Sequence, residues 1–221
     1  MALLMAGLVL YGFSFTIDKR LIHATPPKPW IVYLHAVVFF AWVALFIAQT
    51  ALAAGRAVAW HRRLGVFGIA LGACIPFVGV ATAIASGRIK AASGEAARLA
   101  AQAFLVIPLN DMVCFAILFS LAVSLRRKPE YHRRLMFLAA CGLTAAAYPR
   151  MPMVTITALR WYGGVDAIIA LGVFRDLLRD GSLHIAYRYA LAPLITMQTI
   201  TMAIFIFRPL PWMQLAGRLI G

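Results

Sequence analysis

The chain has 221 residues, of which 63% are apolar and only 13% charged, a balance that excludes an ordinary soluble domain and favours a lipid bilayer. The formal net charge is +14, but Lys and Arg are confined to short segments between long apolar runs. This placement predicts contact with anionic lipid headgroups and no nucleic-acid partner. We expect a single integral membrane domain over 1–221.

The first half of the chain contains three apolar runs. The run at 2–17 is short enough for a signal peptide, but no basic segment precedes it and no cleavage site closes it, so we expect a helix. After a proline-rich loop, the second run covers Trp30 to about Ala54, and the third covers about Leu64 to Ser86. Gly68 and Gly72 in the third run predict a close approach between helices.

The second half begins with a polar segment, 87–103, which predicts a short surface helix. Four apolar runs follow, at about 104–125, 135–157, 161–174 and 186–207. Pro149 and Pro152 should bend or break the run at 135–157. The tail should lie in the membrane interface, with its lipid-facing side formed by Trp212, Leu215 and Leu219. The chain is therefore predicted to be an all-α polytopic membrane bundle of about seven transmembrane helices.

A basic segment occurs twice in the chain. Without a gap, WHRRL at 60–64 matches YHRRL at 131–135, 71 positions later. Each copy ends one apolar run and begins another, which predicts a duplicated two-helix hairpin with halves at about 30–86 and 104–157. The two basic loops then share one side of the membrane. The basic residues of 126–134 place that side and the N-terminus in the cytoplasm, in a bacterial inner membrane.

His61 and His132 occupy equivalent positions in this repeat, each where a loop enters a helix. Two imidazoles so placed can face each other across a b-type haem, with Arg62 and Arg133 near its propionates. The alternative is that each His-Arg-Arg segment anchors a helix to lipid headgroups. His35 is not expected to join the pair, because 26 helical residues separate it from His61, about 39 Å at the standard rise.

Several polar side chains lie inside the apolar runs. The rise of an α-helix places the ionisable ones at one level of the outer leaflet, where an unpaired charge costs several kcal/mol. We therefore expect a buried polar site in which Arg150 bridges Asp111 or Asp166. This predicted site comprises His35, Asn110, Asp111, Tyr148, Arg150 and Asp166. The alternative is an ion pair that only fixes helix register, with His35 a satisfied core histidine.

His35, Trp42 and Gln49 recur every seven residues and so share one face of the second run. We expect this face to point into the bundle, where it either packs against neighbouring helices or lines a ligand site.

Four segments of the chain resemble a family of uncharacterised bacterial multi-span membrane proteins: HAVVF at 35–39, HRRLG at 61–65, DMV at 111–113 and KPEYHRRLM at 128–136. The resemblance covers most of the chain and implies a membrane bundle without a particular activity. A fainter similarity, to cytochrome b561 and ferric-reductase-type bundles, implies haem held by histidine-bearing helix pairs. The chain departs from those bundles because no second His lies well inside a run to pair with His35.

The functional hypothesis is a membrane protein that handles a small molecule or a redox cofactor, with b-type haem as the first cofactor to test. Two alternatives stay open: a proton-coupled carrier that uses Asp111, His35 and Arg150, and an accessory subunit whose polar groups are structural. A membrane-protein partner or a second copy of the chain is a further expectation.

Overall fold

The computed structural model describes residues 1–25, 27–152 and 162–221, and all regular structure in these ranges is helical. The α-helices are, in chain order, α1 (Ala2–Ser14), α2 (Trp30–Ala54), α3 (Val58–Ala91), α4 (Glu95–Phe104), α5 (Val106–Ser124), α6 (Pro129–Leu143), α7 (Gly164–Asp180), α8 (Ile185–Phe207) and α9 (Leu210–Ile220). The predicted all-α class is confirmed. Trp161 and residues 153–157, which the sequence assigned to transmembrane runs, lie outside the described residues.

Four helical segments of the described chain are long and apolar enough to cross a membrane: α2, α3, the α4–α5 pair (Glu95–Ser124) and α8. Helix α1 is apolar but has 13 residues, about 20 Å at the standard rise, which falls short of a hydrocarbon core of about 30 Å. The described residues are therefore those of a helical protein with four candidate membrane-spanning segments.

The two repeated segments begin helices at equivalent positions. Helix α3 starts at Val58 and α6 starts at Pro129, the same offset of 71 residues that relates His61 to His132. The hairpins then diverge, because α3 has 34 residues whereas α6 has 15 and ends at Leu143. The chain continues as two 3₁₀ turns, Thr144–Ala146 and Tyr148–Arg150.

The prolines explain this break. Pro149 has no backbone N–H and disfavours an α-helical conformation at the residue before it, so it weakens an α-helix through this segment. The break that Pro149 and Pro152 predicted is confirmed, although the α-helix ends six residues before Pro149.

Helix α3 packs closely against α2 and α5, as its glycines predict. A Cβ at Gly68 would lie 3.1 Å from Leu45, and one at Gly72 would overlap the Phe119 ring. The core beside this contact is aromatic: the Trp42 ring lies 5.3 Å from Phe115 and 5.7 Å from Phe119 in edge-on geometry.

The tail forms α9, but two of its three predicted lipid-facing residues pack on protein. The Trp212 indole donates a hydrogen bond to the Gln102 carbonyl at 3.0 Å, and Leu219 packs beside buried Ala101 and Leu105. The prediction was wrong for these two side chains because α4 and the start of α5 present an apolar surface that α9 covers. Leu215 is 50% exposed.

Candidate functional site

His61 and His132 lie side by side at one end of the bundle. Their ring centroids are 6.4 Å apart and their planes are nearly perpendicular, at 86°. Each is the fourth residue of its helix, so the equivalent helix starts of α3 and α6 place the two side chains at equivalent positions. The two basic loops therefore lie together at this end.

Each of these imidazoles is held by the helix that precedes it. Nδ1 of His61 lies 3.3 Å from the Gln49 carbonyl oxygen in α2, and Nδ1 of His132 lies 2.8 Å from the Ala122 carbonyl oxygen in α5. A carbonyl oxygen only accepts, so Nδ1 donates in both bonds. The neutral imidazole then keeps a lone pair on Nε2, which has no hydrogen-bond partner in the described part of the chain.

The arginines next to the histidines differ in their surroundings. Arg62 is exposed at the surface of this end. Arg133 instead lies 2.9 Å from Glu130 and 3.2 Å from Asp180, so carboxylates already neutralise it. Of the two arginines predicted to approach a haem propionate, only Arg62 is free of carboxylate contacts among the described residues.

A buried group that the sequence reasoning missed joins α6 to α7 at the same end. We call it the arginine–carboxylate cluster, and its members are Glu130, Arg133, Arg134, Asp176 and Asp180. Arg134 is 2% exposed at its side chain, and its guanidinium lies 2.5 Å from Glu130, 3.0 Å from Asp176 and 2.5 Å from Asp180. The sequence signal was the spacing of Glu130 to Arg134 and of Asp176 to Asp180, each four residues apart and so on one helix face.

The arginines of the cluster and its neighbour Arg175 lower the pKa of two carboxylates, Glu130 and Asp176. A hydrogen bond from Arg134 holds the pKa of Glu130 below its ordinary value. Burial acts to raise the pKa of Asp176, but the hydrogen bond from Arg175 and the charges of Arg133 and Arg134 outweigh it, and the net direction is downward. Tyr187 completes the surroundings with its hydroxyl 3.4 Å from Asp176. The cluster fixes the start of α6, which carries His132.

The predicted polar site near the opposite end is divided into separate groups. The Tyr162 hydroxyl donates to the Asp111 carboxylate at 2.9 Å and accepts from the Asn110 amide at 3.0 Å. The Tyr148 hydroxyl donates instead to the Gly164 carbonyl at 2.9 Å. Tyr162 was not among the predicted residues, because it follows the predicted start of a run by one position and carries no charge.

Arg150 does not bridge Asp111 or Asp166 in the described residues, so that pairing was wrong. Its guanidinium donates to the Ala146 carbonyl and lies 4.3 Å from the centre of the Phe13 ring. Two 3₁₀ turns form where the sequence predicted a continuous helix. As a result, the Arg150 side chain points toward its own backbone and toward α1.

The predicted face of α2 carries three buried polar atoms without a hydrogen-bond partner in the described residues: Nδ1 of His35, Nε1 of Trp42 and Oε1 of Gln49. The distance argument that separated His35 from His61 was wrong, because the chain reverses at Gly55 and brings His61 back beside Gln49. The remaining separation is 14 helical residues, about 21 Å.

The described residues contain no group of three or more His, Cys, Asp or Glu side chains that could hold a metal ion, so two imidazoles are the largest ligand set at the histidine end. No protein-family model, curated protein or solved structure matches the chain.

Proposed function

We propose that this protein is an integral membrane protein that holds one metal group between His61 and His132 and uses it for redox chemistry at the membrane, with b-type haem as the group. The observation that supports this most is the separation of the two ring centroids, 6.4 Å. Two imidazoles that bind one metal from opposite sides, each at about 2.0 Å, have centroids roughly 6 Å apart.

The hydrogen bonds of the two imidazoles support the same proposal. Metal-binding histidines generally donate their other ring N–H to a carbonyl or carboxylate, which fixes the ring and the tautomer. The carbonyls of Gln49 and Ala122 supply this contact for His61 and His132. Haem held by both imidazoles would supply electron transfer.

The surroundings fit an anionic macrocycle at the membrane surface. Exposed arginines flank the pair on both loops, at Arg62, Arg126 and Arg127. Arg62 would hold a propionate, while Arg133 stays with its carboxylates and acts through α6 to position His132.

We propose the finer topology together with this function. Hairpins α2–α3 and α5–α6 are copies of one unit, which the matching helix starts at Val58 and Pro129 favour. Helices α1, α6 and α7 are shorter than a full span, and a bilayer can thin locally around short helices; with these three inserted, the bundle has seven spans in a bacterial inner membrane, and the histidine pair faces the cytoplasm. Gly55→Cys and Lys128→Cys should both resist an impermeant thiol reagent in intact cells and both react in inverted vesicles. If one of these cysteines reacts in intact cells and the other does not, the seven-span topology is wrong.

One observation favours the alternative of a proton-coupled carrier. The unpartnered polar atoms of His35, Trp42 and Gln49 form a row along α2, and buried polar atoms in a membrane are costly unless water or a ligand reaches them. In that function His35, Asp111 and Arg150 would act on the proton or the substrate.

The test is a visible spectrum with metal analysis of protein purified in mild detergent. We expect an absorbance band at about 400–430 nm and one iron per chain, typical of haem with histidine ligands. His61→Ala and His132→Ala should each remove the bis-histidine spectrum. His184→Ala is the matched control, because His184 lies at the same end but caps α8 through the Ala186 N–H. A spectrum that is absent, or that depends only on His35, contradicts the proposal.

A further inference from the structure

An open cavity of about 410 Å³ lies between α1, α2, α6 and α7, beside the arginine–carboxylate cluster. Its volume is within the range of about 300–1,000 Å³ for small-molecule sites. The charged side chains that line it come from α6 and α7, and they are Arg133, Arg134, Arg175 and Asp176. Another side is apolar and includes Leu3 of α1 and Phe46 and Ile47 of α2. A ligand of this cavity therefore needs a polar head and an apolar body.

The charged side of the cavity carries an excess of positive charge. Among the described residues, the arginines within ion-pair distance of the three cluster carboxylates are Arg133, Arg134, Arg175 and Arg179. Four arginines on three carboxylates leave one positive charge unbalanced. Glu130 and Asp180 do not line the cavity, so its wall holds three arginines and one carboxylate. This balance favours a ligand with an anionic head.

Arg175 is the cation of this wall that is best placed to bind an anion. Its side chain is 55% exposed, and its Nη2 donates to the buried Asp176 carboxylate at 2.8 Å. That contact fixes the guanidinium beside the cavity, while its Nε and Nη1 have no hydrogen-bond partner in the described part of the chain. The planar fork of a guanidinium matches the oxygens of a phosphate. Arg175 can therefore bind a phosphate and keep its contact with Asp176.

The position of the cavity along α2 indicates that the apolar body is lipid. Helix α2 is a candidate membrane-spanning helix, and its lining residues lie within about 12 Å of its end at Ala54. Phospholipid headgroups meet the hydrocarbon core at the end of a span. Leu3, which lines the cavity from α1, is 74% exposed, so an acyl chain can lie against both helices.

We propose that this cavity holds one phospholipid with a net negative headgroup, with its phosphate on Arg175 and its acyl chains along α1 and α2. This is a single retained lipid, distinct from the general attraction of the basic loops to a membrane surface. The site does not depend on the metal group between His61 and His132.

Native mass spectrometry of the protein in mild detergent measures this binding, with dioleoyl phosphatidylglycerol as the probe. Dioleoyl phosphatidylethanolamine is the comparison, because it has the same chains and a phosphate but no net charge. We expect one phosphatidylglycerol per chain and about tenfold weaker binding of phosphatidylethanolamine. Glycerol 1-phosphate, which has the phosphate without the chains, should not displace phosphatidylglycerol at equal concentration.

Two arginines of α7 supply a matched pair of variants. Arg175→Gln should weaken phosphatidylglycerol binding at least about tenfold. Arg179→Gln should leave it unchanged, because Arg179 is 68% exposed and lies 3.7 Å from Asp180 but does not line the cavity.

A second pair of variants tests the apolar side and does not touch the cluster. Ala51 lines the cavity, whereas Ala53 is exposed on the same helix outside the lining set. Ala51→Phe should fill the cavity and weaken binding at least about tenfold, and Ala53→Phe should leave it unchanged. Equal binding of the two lipids, displacement by glycerol 1-phosphate, or equal effects within either pair of variants would overturn the proposal.

Discussion

Arg134→Met tests the arginine–carboxylate cluster, because it keeps the length of the side chain and removes its charge. The Arg134 and Asp176 side chains are 2% and 4% exposed, so the substitution removes the most deeply buried of the three arginines beside a buried carboxylate. Removing one partner of a buried ion pair costs about 3–5 kcal/mol. Arg175 at 2.8 Å and Arg133 at 3.7 Å remain beside Asp176, so we expect the lower end of this range, about 3 kcal/mol.

The contacts of Arg134 should differ in strength according to burial. Glu130 is 56% exposed at its side chain, so Glu130→Gln should cost less than about 1 kcal/mol despite the short distance. Asp176→Asn should cost more, since it removes the buried carboxylate beside Arg134 and leaves only the more exposed Glu130 and Asp180 to pair with the guanidinium.

The assay is the free energy of unfolding by SDS titration in mixed micelles, followed by circular dichroism. In the double variant of Arg134→Met and Asp176→Asn, the loss should be smaller than the sum of the single losses by about 1–3 kcal/mol. Additive losses, or a Glu130→Gln cost equal to that of Asp176→Asn, would refute the argument that burial couples Arg134 more strongly to Asp176 than to Glu130.

Three further predictions follow from the contacts. The pKa of Glu130 is lowered in the folded protein, so the stability that its ionised carboxylate contributes should be complete above the ordinary pKa of a glutamate. This contribution should disappear as the pH falls through the lowered pKa. The free energies of unfolding of the wild type and of Glu130→Gln should therefore converge at that low pH. Tyr162→Phe should cost about 1–3 kcal/mol and be non-additive with Asp111→Asn in the same assay, because it removes the hydroxyl that donates to this carboxylate. Gly72→Ala should lower the free energy of unfolding by about 1–3 kcal/mol, because the added Cβ would overlap the Phe119 ring. Gly65→Ala is the control: its Cβ would meet only the Gln49 side-chain amide at 3.5 Å, so thermal unfolding should be nearly unchanged.

The helices were predictable wherever one physical effect dominates the local sequence. Long uncharged runs gave α2 and α8 nearly to the residue, and the WHRRL repeat placed the starts of α3 and α6 in equivalent positions. The approach of His61 to His132 followed from that equivalence. Pro149 marked the region where the fifth run is broken.

The ion pairs were less predictable, because they depend on side-chain direction and not on depth. Asp111 and Arg150 were assigned to one level of the bundle, but the 3₁₀ turns after α6 turn Arg150 toward Phe13 and leave Asp111 to Tyr162. Arg134 was assigned to a basic loop, yet α6 begins at Pro129 and buries it. The prediction that Trp212 and Leu219 in the tail face lipid was wrong for a similar reason. Hydrophobic spacing does not distinguish a side chain that faces lipid from one that packs on an apolar face of α4.

Electron paramagnetic resonance of the oxidised protein is a direct test of the proposal that His61 and His132 hold one metal group together. If His61 and His132 kept their interplanar angle of 86° while holding a haem, the oxidised protein would give a highly anisotropic low-spin ferric signal. That signal should be replaced by a high-spin one, or be lost with the haem, in both His61→Ala and His132→Ala, and should persist in His35→Ala and His184→Ala. A low-spin signal that survives either of the first two substitutions would contradict the account.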